Sequence, residues 1–435
     1  MRKKVLIITY YWPPSGGAGV QRWLKFVKYL RDFNWEPIVY TPENPEFPEY
    51  DNSLQKDIPE NISVLRTPVW EPYSAYKRFI GQNKDKKINA GFLSEDTRPK
   101  LSENISVWIR GNFFIPDARK FWIKPSKKFL SNYLENNHID VIVSTGPPHS
   151  MHLIAMYLKK KFNIPWLADF RDPWTNIDFY KDLKLTRFAD KYHHKLECSV
   201  LQNADKVVVI SNGMANDFKK FFDRDYEVIT NGFDPDDLNK DEELSVDKKF
   251  SVAHIGSLVK TRNPIALWKV LSSLIESEPG FKDDLEIKLV GKVDVSVKHS
   301  IEQFGLNKFV NKIDYLQHNE VIKIQKQSQV LLLLINNTPN AKMILTGKFF
   351  EYLAAKRPII CIGPCDGDAA KILKQTNSGL ISDFNDVNKL KNNILEYYNL
   401  FKNKKLISES TGIEKFSRKE LTGKLAELLI VRHNY

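Results

Sequence analysis

Short apolar segments rich in β-branched residues alternate with amphipathic helical segments along nearly all of this 435-residue chain. The alternation predicts doubly wound parallel sheets, because parallel strands need crossover connections and are buried on both faces. We predict strands in the first half at 5–9, 37–40, 141–144, 165–169, 206–210 and 227–230. In the second half we predict them at 250–255, 286–290, 312–315, 330–335, 358–362 and 379–382. Ligands of such sheets bind at the loops that follow the strands.

An acidic stretch poor in large apolar residues, 234–249, separates the two series and is typical of a surface linker. We therefore predict one Rossmann-like domain at 1–238 and a second at 239–413. With 42% hydrophobic residues, the chain is long enough to bury two such cores. A final helix, predicted at 414–430, carries Leu421 and Leu425 on one side and needs a surface to cover.

Composition excludes several classes of protein. The three cysteines are too few for a disulfide framework or a four-ligand zinc site, so we expect a reducing compartment. No segment approaches the roughly eighteen consecutive apolar residues of a membrane helix. We therefore expect a cytoplasmic protein, either free or peripheral at the inner membrane face.

The formal charge of +12 suits phosphorylated small molecules, an anionic membrane surface or nucleic acid. Nucleic acid is not expected, because the chain has no zinc-finger spacing, RNP-like aromatic motif or basic tail. Residues 107–130 interleave aromatic residues with lysines and arginines, a pattern typical of a lipid-facing surface. The alternative is that these aromatic side chains belong to the core.

The segment 346–355, TGKFFEYLAA, places Glu351 on a helix that begins close to a strand. Thr346 is a candidate N-cap, Gly347 allows a ligand near the backbone, and the first-turn N–H groups favour an anion. Lys348 adds a positive charge, so the segment predicts a nucleotide-diphosphate site. The alternative is an ordinary amphipathic helix with Lys348 and Glu351 in solvent.

Four further loops carry candidate site residues. The loop 254–264 contains Gly256, and its Lys260 and Arg262 are candidates to neutralise a diphosphate. The alternative is that both side chains lie in solvent.

The glycine loop 13–22 contains Gly16, Gly17 and Arg22, which suit the binding of a phosphate or a sugar. Its glycine spacing is not the dinucleotide fingerprint, so the alternative is a plain structural turn. The segment 144–152 contains His149 and His152, for which capping or core roles compete with catalysis. The segment 169–174, DFRDPW, contains Asp172 as a candidate site residue. The alternative is a salt bridge with Arg171 inside the motif.

Taken in order, the motifs YYWPPSGGAGVQR, DFRDPW, ITNGFD, IGSLVKTRNP and GKFFEYLAA resemble those of family-4 glycosyltransferases, retaining sugar-nucleotide enzymes of the GT-B fold. The resemblance covers nearly the whole chain. It implies two Rossmann-like domains facing a central cleft, with the donor mainly in 239–413 and the acceptor mainly in 1–238. It also implies that the C-terminal helix, 414–435, crosses back to the first domain.

The activity that this resemblance implies is a metal-independent, hexosyltransferase-like transfer of a sugar from a nucleotide-diphosphate sugar to a glycan or lipid-linked acceptor in surface-polysaccharide synthesis. The sugar nucleotide is a substrate, and no cofactor is implied. Arg262 and Lys348 would stabilise the departing diphosphate. His149 and Asp172 would orient the acceptor or the sugar, and Glu351, which matches the second glutamate of the family's paired motif, would hydrogen-bond the donor ribose.

Two positions depart from the family pattern. Met343 stands where the first glutamate of the pair is usual, and Ser257 stands where an arginine is usual, while Arg262 occupies the place of the lysine. Lys348 or Lys260 would supply the missing charge. The departures keep two alternatives open: an impaired pseudo-enzyme or partner subunit of this fold, and a GT-B sugar-nucleotide epimerase.

Overall fold

The structure, a computed structural model, describes residues 2–46, 49–71, 101–237 and 244–430. Its contacts divide the chain into two compact units, of which the second is Asn231–Ser417. The first contains the described residues up to Thr230, together with those from Arg418 onward. The boundary that we predict between 238 and 239 lies outside the described residues, and the division falls earlier, before the acidic stretch.

The first unit is a seven-stranded parallel sheet with the order β3-β2-β1-β4-β5-β6-β7. Its strands are β1 Lys3–Ile8, β2 Trp35–Pro42, β3 Ser63–Thr67, β4 Val141–Gly146, β5 Trp166–Phe170, β6 Lys206–Val209 and β7 Glu227–Val228. Its helices are Ala18–Leu30, Leu101–Phe113, Lys120–Asn136, Ser150–Phe162, Arg187–Asn203, Asn212–Lys219 and Arg418–Leu428. The sequence prediction missed β3, because this edge strand is largely half-exposed and lacks an apolar run.

The second unit is a six-stranded parallel sheet with the order β10-β9-β8-β11-β12-β13. Its strands are β8 Phe250–Ile255, β9 Leu285–Val290, β10 Val310–Ile313, β11 Val330–Leu334, β12 Ile359–Ile362 and β13 Gly379–Ser382. Its helices are Ile265–Ser277, Phe281–Asp284, Val295–Gln303, His318–Gln327, Gly347–Ala354, Asp368–Thr376 and Val387–Lys402. The predicted architecture of two doubly wound, Rossmann-like parallel sheets is therefore confirmed.

Strand order sets which loops become neighbours. In the first unit, β1 pairs with β4, with Ile8 opposite Ser144, and β4 pairs with β5, with Thr145 opposite Asp169. The loops that follow these three strands therefore leave the sheet side by side. In the second unit, β8 lies between β9 and β11, so the loops after β8 and β11 are likewise adjacent.

The last described helix packs on the first unit. Leu421 and Leu425 are buried in the same core as Val20 and Leu24, and Trp35 Nε1 donates to the carbonyl oxygen of Ala426 at 3.3 Å. The helix predicted at 414–430 is interrupted: a short turn of 3-10 helix, Glu414–Phe416, precedes an extended residue at 417, and the α-helix begins at Arg418.

Candidate functional site

A fully buried ion pair lies at the carboxyl edge of the first sheet. Arg22 donates to both carboxylate oxygens of Asp169, with the closest contact at 2.8 Å, and each residue is 1% exposed. Trp23 Nε1 and Thr145 Oγ1 also donate to this carboxylate, at 2.7 and 2.8 Å. The positive charge of Arg22 holds the pKa of Asp169 below its usual value, against the effect of burial. Arg22 therefore serves the fold, and its charge is not available to a phosphate.

Arg171 ties two loops together. It donates to the carbonyl oxygen of Gly19 at 2.8 Å and to that of Pro147. Asp169 pairs with Arg22, and among the described residues no salt bridge joins Arg171 to Asp172, so the alternative of a salt bridge inside the motif is not borne out. Arg171 instead connects the loop after β1 with the loop after β4, at the position from which Asp172 and His149 project.

His149 precedes the helix Ser150–Phe162 and stacks flat on Trp174, with ring centroids 4.6 Å apart and an interplanar angle of 3°. Burial, followed by the nearby His152 and Arg171, lowers the pKa of His149 well below its usual value, so the imidazole is neutral. Of the described residues, none offers a hydrogen-bond partner to its Nδ1. His149 is thus a rigidly held neutral imidazole, suited to orienting a polar group.

The residue Asp172 keeps exposed surface, while nearby protein atoms remove hydration from its carboxyl group. This loss of hydration raises the pKa of its carboxyl group to about 6, although Arg171 opposes the shift. A carboxylate with such a pKa can accept or release a proton near neutral pH. Its position beside the Arg171 bridge brings it into the same loop cluster as His149.

The glycine loop leads into the helix Ala18–Leu30, whose N-terminus is exposed at Gly17. Gly17 has φ 87°, a conformation that favours glycine, and caps the helix Ala18–Leu30 without a side-chain bond. A Cβ built on Gly17 meets no atom within 4 Å. Gly16 is buried, and its N–H donates to the carbonyl oxygen of Glu49 at 2.8 Å. The first-turn N–H groups next to Gly17 are therefore approachable, whereas Gly16 is part of the turn itself.

Two carboxylates that the sequence prediction missed hold these loops. Glu197 is buried and accepts from the N–H of Trp174 at 3.0 Å and from Thr175. Asp117 accepts from both the N–H and the hydroxyl of Ser150, at 2.9 and 2.8 Å. Glu197 had a signal in the sequence, because it falls on the apolar side of its helix with Val200 and Leu201. Asp117 lies in a loop and had none.

In the second unit, Thr346 precedes the helix Gly347–Ala354 and is its N-cap residue by position. Its hydroxyl makes no capping bond to the helix, and the described residues provide no partner for this buried oxygen. Thr346 is therefore the N-cap residue that we predicted, without a capping bond from its hydroxyl. The first N–H groups of the helix keep their capacity to bind an anion.

Lys348 projects over the loop that follows β8. Its Nζ lies 3.3 Å from His254 Nε2, and a Cβ built on Gly256 lies 3.2 Å from the same Nζ. Burial and the nearby Arg262 lower the pKa of Lys348 well below its usual range, although Glu351 opposes the shift. Gly256 has φ 105° and leaves the room that the ammonium group occupies.

Arg262 is half-buried at the same edge. It donates to the side-chain oxygen of Asn336 and, at 3.1 Å, to the carbonyl oxygen of Ser257. Both acceptors are neutral. Lys260 lies in the same short turn, but its side chain is exposed to solvent. The structure therefore brings Gly256, Arg262 and Lys348 together and leaves Lys260 outside the group.

Glu351 follows Lys348 by one helical turn and is half-buried. Gln325, which is 1% exposed, donates to one of its carboxylate oxygens at 3.1 Å. A buried amide thus fixes the carboxylate, which leaves the other oxygen for a ligand. The sequence prediction missed Gln325, because one glutamine in an amphipathic helix gives no signal.

The two departures from the family pattern have different environments. Met343 lies in the short turn Ala341–Met343 and is 8% exposed. An apolar, buried side chain thus takes the place of the usual glutamate. Ser257 is exposed, and its carbonyl oxygen accepts from Arg262.

Residues 107–130 combine core and surface aromatic side chains. Trp122 is buried and stacks on Tyr40 with centroids 4.8 Å apart. Trp108, Phe113 and Phe121 are exposed, and Phe121 contacts the exposed Trp70 at 4.7 Å between centroids. The core alternative therefore holds for Trp122 and not for the other three. In the described part of the chain, no helix combines the length and apolar character needed to cross a membrane.

Comparison with known proteins agrees with the fold. Residues 88–237 match the model of the family described as Glycosyltransferase Family 4. A search of curated proteins found no match to the chain.

Solved structures resemble the whole chain at low sequence identity. Sucrose-phosphate synthase from Thermosynechococcus elongatus is 15% identical with a TM-score of 0.61, and the match covers 98% of each chain. A TarM variant of S. aureus, solved with fondaparinux, alpha-GlcNAc-glycerol and UDP, is 14% identical with a TM-score of 0.60, covering 99% of this chain and 100% of that chain. WaaG, a glycosyltransferase involved in lipopolysaccharide biosynthesis, is 12% identical with a TM-score of 0.56, covering 98% and 100%. The predicted GT-B fold is confirmed by these likenesses, and residues 88–237 match the model of glycosyltransferase family 4.

Proposed function

We propose that this protein is a retaining glycosyltransferase that binds a nucleotide-diphosphate sugar in its second unit and transfers the sugar to a glycan or a lipid-linked acceptor. The observation that carries the proposal is the convergence of Arg262, Lys348 and the N-terminus of the helix Gly347–Ala354 on one loop edge. These groups offer two cationic side chains and free N–H groups to a diphosphate.

Each residue then has a role in the proposed reaction. As the bond from the sugar to the diphosphate breaks, negative charge grows on the departing phosphate, where Arg262 and Lys348 stabilise it. Glu351, fixed by Gln325, accepts hydrogen bonds from the ribose hydroxyls. His149 and Asp172 orient the sugar or the acceptor. No residue of this chain is assigned as a covalent nucleophile, because the acceptor hydroxyl attacks from the leaving group's side and gives its proton to the phosphate.

Calorimetric titration with a panel of sugar nucleotides tests the proposal. We expect one of them to bind, and Glu351→Ala to weaken it by about 1.5–3 kcal/mol, the range of a hydrogen bond to a charged group. Glu302→Ala is a matched control, because Glu302 is exposed in the same unit on the helix Val295–Gln303. If no sugar nucleotide binds, the proposal fails. If Glu351→Ala and Glu302→Ala bind equally, the donor-site assignment fails.

The buried Met343 favours a second candidate, a protein that binds the donor without transferring the sugar. Real-time proton NMR of the bound donor separates the two candidates, because transferases release sugar slowly to water. A retaining transferase should first release sugar with the donor's anomeric configuration. Binding with no release would favour the second candidate.

We also propose that the exposed aromatic surface of the first unit contacts an anionic bilayer. Trp70, Trp108, Phe113 and Phe121 supply apolar area, and the Lys120 ammonium lies 5.4 Å from the Phe121 ring centroid. Basic residues beside exposed aromatic side chains are typical of proteins that lie on membranes.

Sedimentation with phosphatidylglycerol vesicles tests this contact. Phe113→Ser should reduce the fraction of protein that sediments with the vesicles. Phe188→Ser, a change at an 80% exposed phenylalanine elsewhere in the unit, should not. Equal loss in both variants, or binding that is insensitive to salt, would contradict this contact.

A further inference from the structure

Two imidazole nitrogens of the first unit converge on one small space without a partner. His149 Nδ1 and His152 Nε2 are both buried, and no described residue hydrogen-bonds to either. A Cβ built on Gly146 lies 2.6 Å from His152 Nε2 and 2.9 Å from His149 Nδ1. Because both distances start from one point, the separation of the two nitrogens cannot exceed the sum of these distances. The two nitrogens are thus no farther apart than about two hydrogen-bond lengths, a separation that one oxygen between them would bridge.

The proton of His152 has a defined place. Trp166 Nε1 donates to Ser144 Oγ at 2.8 Å, and Ser144 Oγ lies 2.8 Å from His152 Nδ1. Ser144 is buried, and the described residues give its hydroxyl proton no acceptor other than His152 Nδ1, so we take the hydroxyl as the donor in this bond. Burial lowers the pKa of His152 to about 3, so the ring is neutral and its single proton is on Nε2. His152 therefore presents an N–H donor to the space beside Gly146.

The nitrogen that faces this space from His149, Nδ1, is able to act as a hydrogen-bond acceptor. Its ring is neutral and held against Trp174, so Nδ1 is an acceptor if the ring proton is on Nε2. An oxygen with one proton to donate and one lone pair to offer satisfies both nitrogens at once. Leaving two buried polar atoms without hydrogen bonds would destabilise the fold.

We propose that the space between His149, His152 and Gly146 binds a single hydroxyl oxygen, a water molecule in the free protein, which accepts from His152 Nε2 and donates to His149 Nδ1. The series Trp166, Ser144, His152 and this oxygen then fixes the tautomer of His149. The proton of His149 is on Nε2, and this nitrogen is the donor that it presents to a substrate oxygen. His152 is thus a positioning residue for His149.

The inference rests on the proposed function only for what His149 does to a substrate. The oxygen site and the tautomer are properties of the free protein, so they can be tested without any sugar nucleotide. If no nucleotide binds but the tautomer is as stated, the proposed function fails and this inference holds.

The test is long-range proton–nitrogen NMR of protein labelled in its nine histidines, with His149 assigned by its loss in His149→Gln. We expect His149 to show the Nε2–H tautomer in the wild type. His152→Phe keeps a flat ring and removes the donor, so it should give a mixture of His149 tautomers. His152→Gln keeps an N–H group in the place of Nε2 and should restore the single tautomer.

Gly146→Ala provides an independent test of the space. Gly146 is not among the glycines with positive φ, but a methyl group there would lie 2.6 and 2.9 Å from the two imidazole nitrogens, so the rings and any oxygen between them must shift to admit it. The methyl group should displace the oxygen and reproduce the tautomer mixture of His152→Phe. A 1.5 Å crystal structure of the wild type should place one water between the two nitrogens.

Several results would overturn the proposal. They are a direct hydrogen bond between the two imidazoles, an Nδ1–H tautomer for His149, and unchanged spectra in both His152→Phe and Gly146→Ala. A rise in melting temperature with one equivalent of zinc, lost in His152→Phe, would show a cation site instead. If added sugar displaces the water signal, the oxygen in the complex comes from a substrate hydroxyl.

Discussion

Both units place an arginine at the carboxyl edge of their sheet, and they treat it in opposite ways. Arg22 is 1% exposed and neutralised by Asp169, with further bonds to the carbonyl oxygens of Ile229 and Thr230. Arg262 is half-buried and donates to the neutral oxygens of Asn336 and Ser257. The charge of Arg22 is neutralised by a fixed, buried carboxylate, whereas Arg262 is half-buried and lies near Lys348, so an incoming anion there would meet two basic side chains.

The difference separates scaffold from binding site. In the first unit the charged pair joins a helix to two strand ends, and the groups left for ligands are the neutral His149 and the carboxyl group of Asp172. In the second unit the groups that converge on the loop edge are the basic side chains of Arg262 and Lys348 and the first N–H groups of a helix. We therefore expect the first unit to handle uncharged hydroxyl groups and the second to handle phosphate.

The largest effect should follow from breaking the buried pair. Arg22→Met leaves the Asp169 carboxylate buried with no positive partner, so unfolding free energy should fall by about 3–5 kcal/mol in urea titration. Arg31→Met is the matched control, because Arg31 pairs with Glu36 near the surface and should cost less than about 1 kcal/mol. Stability that is unchanged in Arg22→Met, with lost nucleotide binding, would reverse the comparison.

A smaller effect should follow from removing a cation of the second unit. Lys348→Met should weaken nucleotide-diphosphate binding roughly 10- to 150-fold, as expected for a hydrogen bond to a charged group. The exposed Lys298 supplies a control variant, Lys298→Met, that should bind normally.

The pKa of Lys348 sharpens this prediction. Burial and Arg262 lower this pKa in the free protein, and a bound diphosphate should raise it again. Binding should therefore take up protons, up to about one per site, at pH values above the pKa of the free protein and none below it. Calorimetry in buffers of different ionisation enthalpy measures this uptake. Uptake that persists in Lys348→Met would assign it to another group.

The smallest effect concerns Asp172. Its pKa is about 6 in the folded protein and near 3.8 in the unfolded chain, so the native state binds more protons between these values. Stability should fall as pH rises through this range. Asp172→Asn removes the loss and should raise the melting temperature at pH 7.5 but not at pH 3.5. Because the side chain is exposed, the gain should stay below about 1 kcal/mol. A gain equal at both pH values would contradict the pKa shift.

The fold was legible in the sequence because buried parallel strands are continuous apolar runs. The segments around β8, β11 and β12 illustrate this, since each is buried along its whole length. The edge strands β3 and β10 are partly exposed and more polar, so one was missed and the other shifted, from 312–315 to Val310–Ile313. The apolar pattern of a sequence reflects how deeply a strand is buried, and the edge strands β3 and β10 are less buried than the central ones.

The sequence predicted site residues only where a charged residue or a glycine follows the end of a predicted strand. Gly256, Arg262 and Lys348 follow from that rule, and the structure brings them together. The pairing of Arg22 with Asp169 crosses well over a hundred residues of sequence, and the choice between Arg22 and Arg171 depends on side-chain directions that periodicity does not contain. Gln325 and Asp117 act through single hydrogen bonds from other elements and leave no pattern.

The helix Arg418–Leu428 also determines when the protein can finish folding. It supplies Leu421 and Leu425 to the core that contains the first strand, although the whole second unit is encoded between that strand and this helix. During synthesis, the second unit can complete its own core while the first still exposes the groove that this helix fills. The first unit is therefore the later one to mature, and the nascent chain depends longest on protection at its earliest-made end.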